Sequence, residues 1–249
     1  MSLAGPHAAL PLDGFFAVNP AMPVFARLFK DKQAAVVHAA ATGYRERSHF
    51  DGQDVLESGF AGPGHVATGW LNRALESLPA GDRVATLGGL AVGPSTPLVI
   101  RGAAPVLGWA THANEGGATG RLATLLGGLD GAFEEFEKGL GERWKDTAIV
   151  AITEFGRTAQ INGSVGTDHG TGTVVLLAGG AIKGGRIIAD WPGLKPAQLY
   201  EQRDLAPTSD VRAVLKGLLA DQFGLSAAVL ADKVFPESAA AKPMRDLIA

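Results

Sequence analysis

The run Thr147-Ala148-Ile149-Val150-Ala151-Ile152-Thr153 constrains the fold most, because its alternate positions are apolar in both sets. Successive side chains of a strand point to opposite faces of its sheet, so such a run needs cover above and below. Directly before it, Leu122, Leu125, Leu126, Leu129, Phe133, Phe136 and Leu140 recur at helical spacing across residues 118–140. A long amphipathic helix followed by a doubly buried strand is half of a β-α-β unit. The expectation is therefore a central strand of a parallel sheet with helices on both faces.

The rest of the chain fits that plan. Apolar positions from Asn19 to Phe29 have helical spacing and lead into a strand-like run, Ala34 to His38. Ser48 is placed to cap a short helix ending near Ser58, and Trp70, Leu71, Ala74, Leu75 and Leu78 line one face of a helix over residues 68–78. Two or three short β-like runs lie between Val84 and Arg101, and a second buried strand covers Thr173 to Leu177. A last helix runs from Asp210 to Phe223, with Val211, Val214, Leu215, Leu218 and Phe223 inward and Gly224 as its stop. With 46% hydrophobic residues there is enough apolar side chain for one core, so residues 1–249 are expected to form one α/β domain, a three-layer sandwich with a mostly parallel central sheet.

Charge and composition remove several function classes. With 22 basic against 25 acidic residues, no global positive field attracts nucleic acid or an anionic membrane surface. Without cysteine there is no thiolate metal site and no cysteine nucleophile. No apolar run reaches the ~20 residues that span a bilayer, and the first residues lack a secretory signal. On these grounds alone the chain is expected to be soluble and cytoplasmic.

Ligands of open α/β sheets bind beyond the carboxyl ends of the strands. Glu154-Phe155-Gly156-Arg157 follow the 147–153 strand directly, and Gly166-Thr167-Asp168-His169-Gly170-Thr171-Gly172 lead back into the next. Asp168 and His169 side by side, with Glu154, suit a hard cation or zinc. The competing reading pairs Glu154 with Arg157 and uses Asp168 to cap the turn. His112, just ahead of the long helix, is either a further ligand or a capping residue. Upstream, Arg45, Arg47, Ser48, His49, Asp51 and Asp54 stand within ten residues. Guanidiniums with a hydroxyl at a helix start suit an anionic ester, and Ser48 and Thr42 are the hydroxyls considered as nucleophile. A solvated, capped loop explains the same residues.

The segments LDGFFAVNP, YRERSHFDGQDVLESG, WLNRAL, THANEGGATGRLA, AITEFGRTAQINGSVGTDHGTGTVVLLAGG, ADWPGL and RDLAPTSDVRAVLKGLL resemble the bacterial family called domain of unknown function 1501. The resemblance implies a fold like the alkaline phosphatase and sulfatase superfamily, and a periplasmic or secreted protein exported by a twin-arginine signal. It also implies a divalent metal (Zn, Mn, Ca or Mg) held by Glu154, Asp168, His169 and His112. A small phosphate or sulfate ester would then be met by Arg45, Arg47 or Arg157, with His49, Asp51 and Asp54 nearby. The superfamily's strand-end motif matches Thr153-Glu154-Phe155-Gly156, where Phe155 stands at a ligand position it cannot fill. The family also has an Asp where this chain has Ala110, a strand ahead of Leu12-Asp13-Gly14, and a longer segment near residue 110. The chain is thus expected either to be a shortened form or to be given without some of the protein's segments, and to be either active or a degenerate member that binds an envelope ligand or partner without turnover.

Overall fold

The computed structural model describes residues 5, 7–64, 66–78, 89–92, 97–104, 106–109, 121–160, 162–163 and 166–249. In chain order, a two-stranded hairpin, β1 (Leu10–Pro11) and β2 (Ala17–Val18), leads to α1 (Pro23–Lys30), β3 (Ala34–Ala41), α2 (His49–Ser58) and α3 (Trp70–Ser77). Then come β4 (Gly89–Val92) and β5 (Val106–Trp109), which pair with each other, and the long α4 (Arg121–Leu140). The chain continues through β6 (Ile149–Ala151), β7 (Thr173–Ala178), β8 (Arg186–Ile188), β9 (Ser209–Asp210) and α5 (Val211–Phe223). The expected helices are all present within these bounds. Of the β-like runs before Arg101, β4 is a strand, Leu98–Ile100 is a 3-10 turn, and residues 79–88 and 93–96 lie outside the described residues.

The centre of the main sheet is β3, whose sequence AAVVHAAA is buried everywhere except at His38. Its alanines and valines allow close cover on both faces. β7 runs antiparallel along one side of β3, while β8 and β9 run parallel along the other, beside Ala35–Val37 and Ala40–Ala41. β6 pairs antiparallel with the far side of β7.

Two expectations are corrected here. The 147–153 run is an edge strand among the described residues, not the central one, and the sheet is of mixed orientation rather than mostly parallel. The apolar pattern was a sound report of facial burial, since Ile149 and Ala151 pack toward Phe133 while Val150 and Ile152 pack toward the α5 side. Facial burial says nothing about how many strands lie alongside.

Helices cover both faces. Val214, Leu215 and Leu218 of α5 pack with Phe235 on Ala35, Val37, Val175 and Leu177, and Phe25, Leu28 and Phe29 of α1 join Phe133 of α4 over Ala34, Val36 and Ala178. Phe25 and Phe133 are almost fully buried with ring centroids 5.7 Å apart, each contributing roughly 1.5–3 kcal/mol by burial. Phe136 and Phe223, placed on the inner stripes by periodicity, are half exposed. Among the described residues, no helix is long and apolar enough to cross a membrane.

β3 ends in a bulge. The register with β7 shifts between His38 and Ala40, and Ala39 takes a left-handed φ of 50° with its carbonyl accepting the Thr208 N–H at 2.9 Å. The bulge turns the chain into the loop that carries Thr42 to Ser48.

Candidate functional site

Three segments meet at one end of the sheet. Glu154 leaves β6, His169 lies on the return arm to β7, and His49 opens α2. The two arms of the 154–172 loop run backbone against backbone, with an antiparallel bridge between Arg157 and His169 and N–H···O bonds from Gly170 to Gly156 (2.9 Å) and from Thr158 to Asp168 (3.0 Å). Glycine is required at the closest approaches. A Cβ on Gly156 would sit 1.9 Å from the Gly172 oxygen, and one on Gly170 would sit 2.3 Å from the Arg157 carbonyl carbon. Gly52, one helical turn after His49, similarly lets α2 lie against Glu154 and Phe155.

That packing joins three side chains in a line. His49 Nδ1 lies 2.6 Å from Glu154 Oε1, and its Nε2 lies 3.1 Å from His169 Nε2. An ionised carboxylate only accepts hydrogen bonds, so His49 donates from Nδ1 and, when neutral, presents the Nε2 lone pair. His169 then donates from its own Nε2, which leaves its Nδ1 as an open acceptor, with no hydrogen-bond partner among the described residues. Phe155 packs on both imidazoles, at 4.9 and 5.0 Å between ring centroids. His49 is more than half exposed, so the carboxylate–imidazole pair contributes at most ~1 kcal/mol to stability.

Several expected site residues point elsewhere. Arg45 donates to the carbonyls of Thr42 and Tyr44, folding back on its own loop. Arg47 bonds through Nε to Asp204 Oδ2 at 2.8 Å and pairs with Glu201 at 2.5 Å. Glu201 first, and then Asp204, hold its guanidinium above the ordinary arginine value. Thr42 is buried and accepts the Tyr44 N–H at 3.3 Å. Ser48 occupies the N-cap of α2, but its side chain makes no capping bond. Asp51 accepts from the Tyr44 hydroxyl, Asp54 from the Gly64 N–H, and Asp168 from the Asn162 amide at 3.0 Å. Arg157 is exposed, has no carboxylate partner among the described residues, and makes one long bond to the Thr167 carbonyl at 3.4 Å. The Glu154–Arg157 salt bridge of the competing reading is replaced by the Glu154–His49 contact. His112 lies outside the described residues.

The sequence reading placed His49 behind the metal candidates, gave Phe155 only as a residue that cannot be a ligand, and missed Arg203 and Asp204 as parts of this site. Arg203 donates to the His169 carbonyl, and the fully buried Asp204 accepts from Arg47 and from Thr171 Oγ1 at 2.7 Å. The only sequence signal for the pair was the RDLAPTSD segment. Among the described residues, no group of three or more His, Asp or Glu is arranged to hold a metal ion.

A comparison with protein families matches residues 97–234, more than half of the 249 residues, to "Protein of unknown function (DUF1501)". The matched span contains Glu154, His169, Arg203 and Asp204, while His49 precedes it. No curated protein and no solved structure matches. The chain belongs to the DUF1501 family.

Proposed function

We propose that this protein is a hydrolase of small anionic esters, of the phosphate or sulfate class, whose acid–base centre is the Glu154–His49–His169 line. The observation that carries the reading is the pair of contacts at 2.6 and 3.1 Å on opposite nitrogens of one imidazole. In this reading His169 Nδ1 takes a proton from the attacking water as the water oxygen bonds the phosphorus or sulfur of the ester. The His169 Nε2 proton moves to His49 Nε2, and the His49 Nδ1 proton is held against Glu154, so positive charge on the pair is stabilised by the carboxylate. The ester bond then breaks, the proton shift along the pair reverses, and His169 Nδ1–H returns the proton to the departing alkoxide. Positioned proton transfer of this kind contributes ~10²–10⁴-fold to a rate. Arg157 is the guanidinium assigned to the ester anion, since Arg45 and Arg47 are committed to internal partners.

The metal belongs to the same reading through the family's resemblance to the alkaline phosphatase and sulfatase superfamily. His49 Nε2 and His169 Nε2 are the donors that face one another, with Glu154 behind His49 as a carboxylate stands behind a ligating histidine. Two imidazoles fall short of the three or four protein ligands that zinc takes, so the protein's own groups carry the proton transfer described. Export to the periplasm is part of the proposal on the same resemblance. The binding-only alternative draws on a different observation: neither Ser48 nor Thr42 bonds either imidazole, so the pair activates neither of these hydroxyls.

The test is hydrolysis of p-nitrophenyl phosphate and p-nitrophenyl sulfate by the purified full chain, with and without added Zn, Mn, Ca or Mg. Turnover that falls at least ~100-fold in both Glu154→Gln and His169→Asn is expected. Equal rates in wild type and both variants would sink the reading, and saturable binding of either ester without turnover would favour the alternative.

A further inference from the structure

We propose that the turn Tyr200–Leu205 is a clamp that sets the spacing of the histidine pair, with Arg203 and Asp204 as its positioning residues. The inference rests on reading His49 and His169 as the reactive centre, but its geometry is independent of any substrate.

The two histidines come from segments distant in sequence, and neither is held by its own imidazole alone. On the His169 side, the clamp is stitched to both arms of the 154–172 loop. Ala159 N–H donates to Arg203 O at 3.1 Å, Gly172 N–H donates to Leu205 O at 3.0 Å, and Asp204 bridges to Thr158. Arg203 adds its guanidinium bond to the His169 carbonyl, and Asp204 accepts from the Thr171 hydroxyl, two residues beyond His169. On the His49 side, the same Asp204 Oδ2 takes the Arg47 Nε–H at 2.8 Å, two residues before His49. One carboxylate oxygen thus ties together the segments that bear the two imidazoles.

The carboxylate is fully buried and carries charge, a costly arrangement unless it is closely paired. Its other oxygen, Oδ1, lies 3.3 Å from Arg203 Nε, near enough for charge attraction although not aligned as a hydrogen bond. Backbone strain collects at the same place. Arg47, Glu201 and Gln202 have left-handed φ values of 59°, 51° and 57°. Such conformations persist for non-glycine residues only where surrounding contacts over-determine them. Removing the clamp's bonds therefore lets both strained segments relax, and the imidazoles separate.

The experiment reads the imidazole N–H protons of the full chain by NMR in the absence of substrate. Wild type is expected to give downfield, exchange-protected resonances for His49 Nδ1–H and His169 Nε2–H. Arg203→Met alters a side chain that is partly exposed, unlike the fully buried Asp204, so it tests the clamp even if Asp204→Asn folds poorly. Asp130→Asn is the control, a destabilising change in α4 outside the site. The clamp predicts that both resonances are lost in Arg203→Met and Asp204→Asn and kept in Asp130→Asn. Where the ester is hydrolysed, kcat falls at least ~10-fold with KM little changed, since displaced reacting groups lose rate steeply. Resonances that survive in both clamp variants, or that vanish equally in the control, overturn the proposal. Resonances that behave as predicted in a protein without esterase activity leave the clamp standing and refute the hydrolase reading alone.

Discussion

Helix α1 lacks the side-chain cap its first turn needs, and Asp130 supplies it from α4. Met22 stands at the N-cap with no side-chain acceptor, and Pro23 removes one of the free N–H groups. The next two, of Val24 and Phe25, donate to the two oxygens of Asp130 at 2.8 and 2.7 Å, and the carboxylate is only 3% exposed. Replacing Asp130 with Ala removes two charge-assisted bonds and a negative charge at a helix N-terminus, and buried N–H groups are left where water enters poorly. Each such bond contributes roughly 1.5–3 kcal/mol net, but the two share one carboxylate, so the loss is set at about 3 kcal/mol rather than their full sum. Asp130→Asn keeps one acceptor and turns an amide NH₂ toward the second N–H, for a loss of about 2 kcal/mol. Urea unfolding followed by circular dichroism measures both. With a slope of about 3 kcal/mol/M for a chain of this size, the Ala variant's midpoint should fall by about 1 M. Hydrogen exchange localises the effect, with the Val24 and Phe25 amides losing protection first. An Ala variant within ~0.5 kcal/mol of wild type, the scatter of ordinary surface changes, would refute the capping role.

Other consequences follow from single residues. The half-buried imidazole of His38, packed beside the rings of Phe16 and Trp191, has its proton affinity lowered by burial, and its buried Nδ1 lacks a partner among the described residues. The unfolded chain takes up that proton near pH 6.5, so stability is complete above about pH 6.5 and falls as pH drops through the lower folded value. His38→Phe should flatten this dependence in thermal melts between about pH 5 and 8, and parallel curves for the two proteins would contradict it. Gly156→Ala forces the two arms of the loop apart, costing roughly 1–3 kcal/mol and removing the downfield imidazole resonances; retention of both signals would show that the arms yield elsewhere. Phe235→Ala empties a fully buried site beside Trp70, whose ring centroid is 5.4 Å away. A loss of roughly 3–5 kcal/mol is expected from tryptophan-monitored unfolding, and a loss under ~1 kcal/mol would mean that the site collapses freely.

The helices were legible because their apolar spacing is a local property, and α5 carries both stop and start signals: Asp210 accepts the Arg212 N–H at 2.8 Å and Gly224 adopts φ 67°. Strand pairing was not legible from the same kind of pattern. β6 and β3 are both apolar on two faces, yet among the described residues one is an edge and the other a centre, and only lateral neighbours distinguish them. One usable clue was present. Parallel neighbours need a crossover, usually helical, whereas residues 153–172 are glycine-rich and polar with no helical period. That connection fits the antiparallel β6–β7 pair. The strand-end rule pointed to Glu154 and His169, which the structure brings to one end of the sheet beside His49, because it depends only on where a strand stops.

The pairing of His49 with Glu154, and of Arg47 with Asp204, was not legible for a different reason. His49 reaches Glu154 across 105 positions only because α2 packs on Gly52, and Arg47 reaches Asp204 across 157. No window of sequence contains both ends of either contact. The same feature makes the acid–base and binding readings separable. A binding surface tolerates loose imidazoles provided charge and shape persist, whereas a proton line requires both ring nitrogens of His49 to be engaged at once, on Glu154 and on His169. Exposed side chains hold two such contacts only when their backbones are fixed. The left-handed turns at Arg47, Glu201 and Gln202, offset by a fully buried carboxylate, are the expense of that fixity. A site that merely attracted an anion would gain nothing from it, since Arg47 is spent on Asp204 and Glu201 rather than left facing solvent.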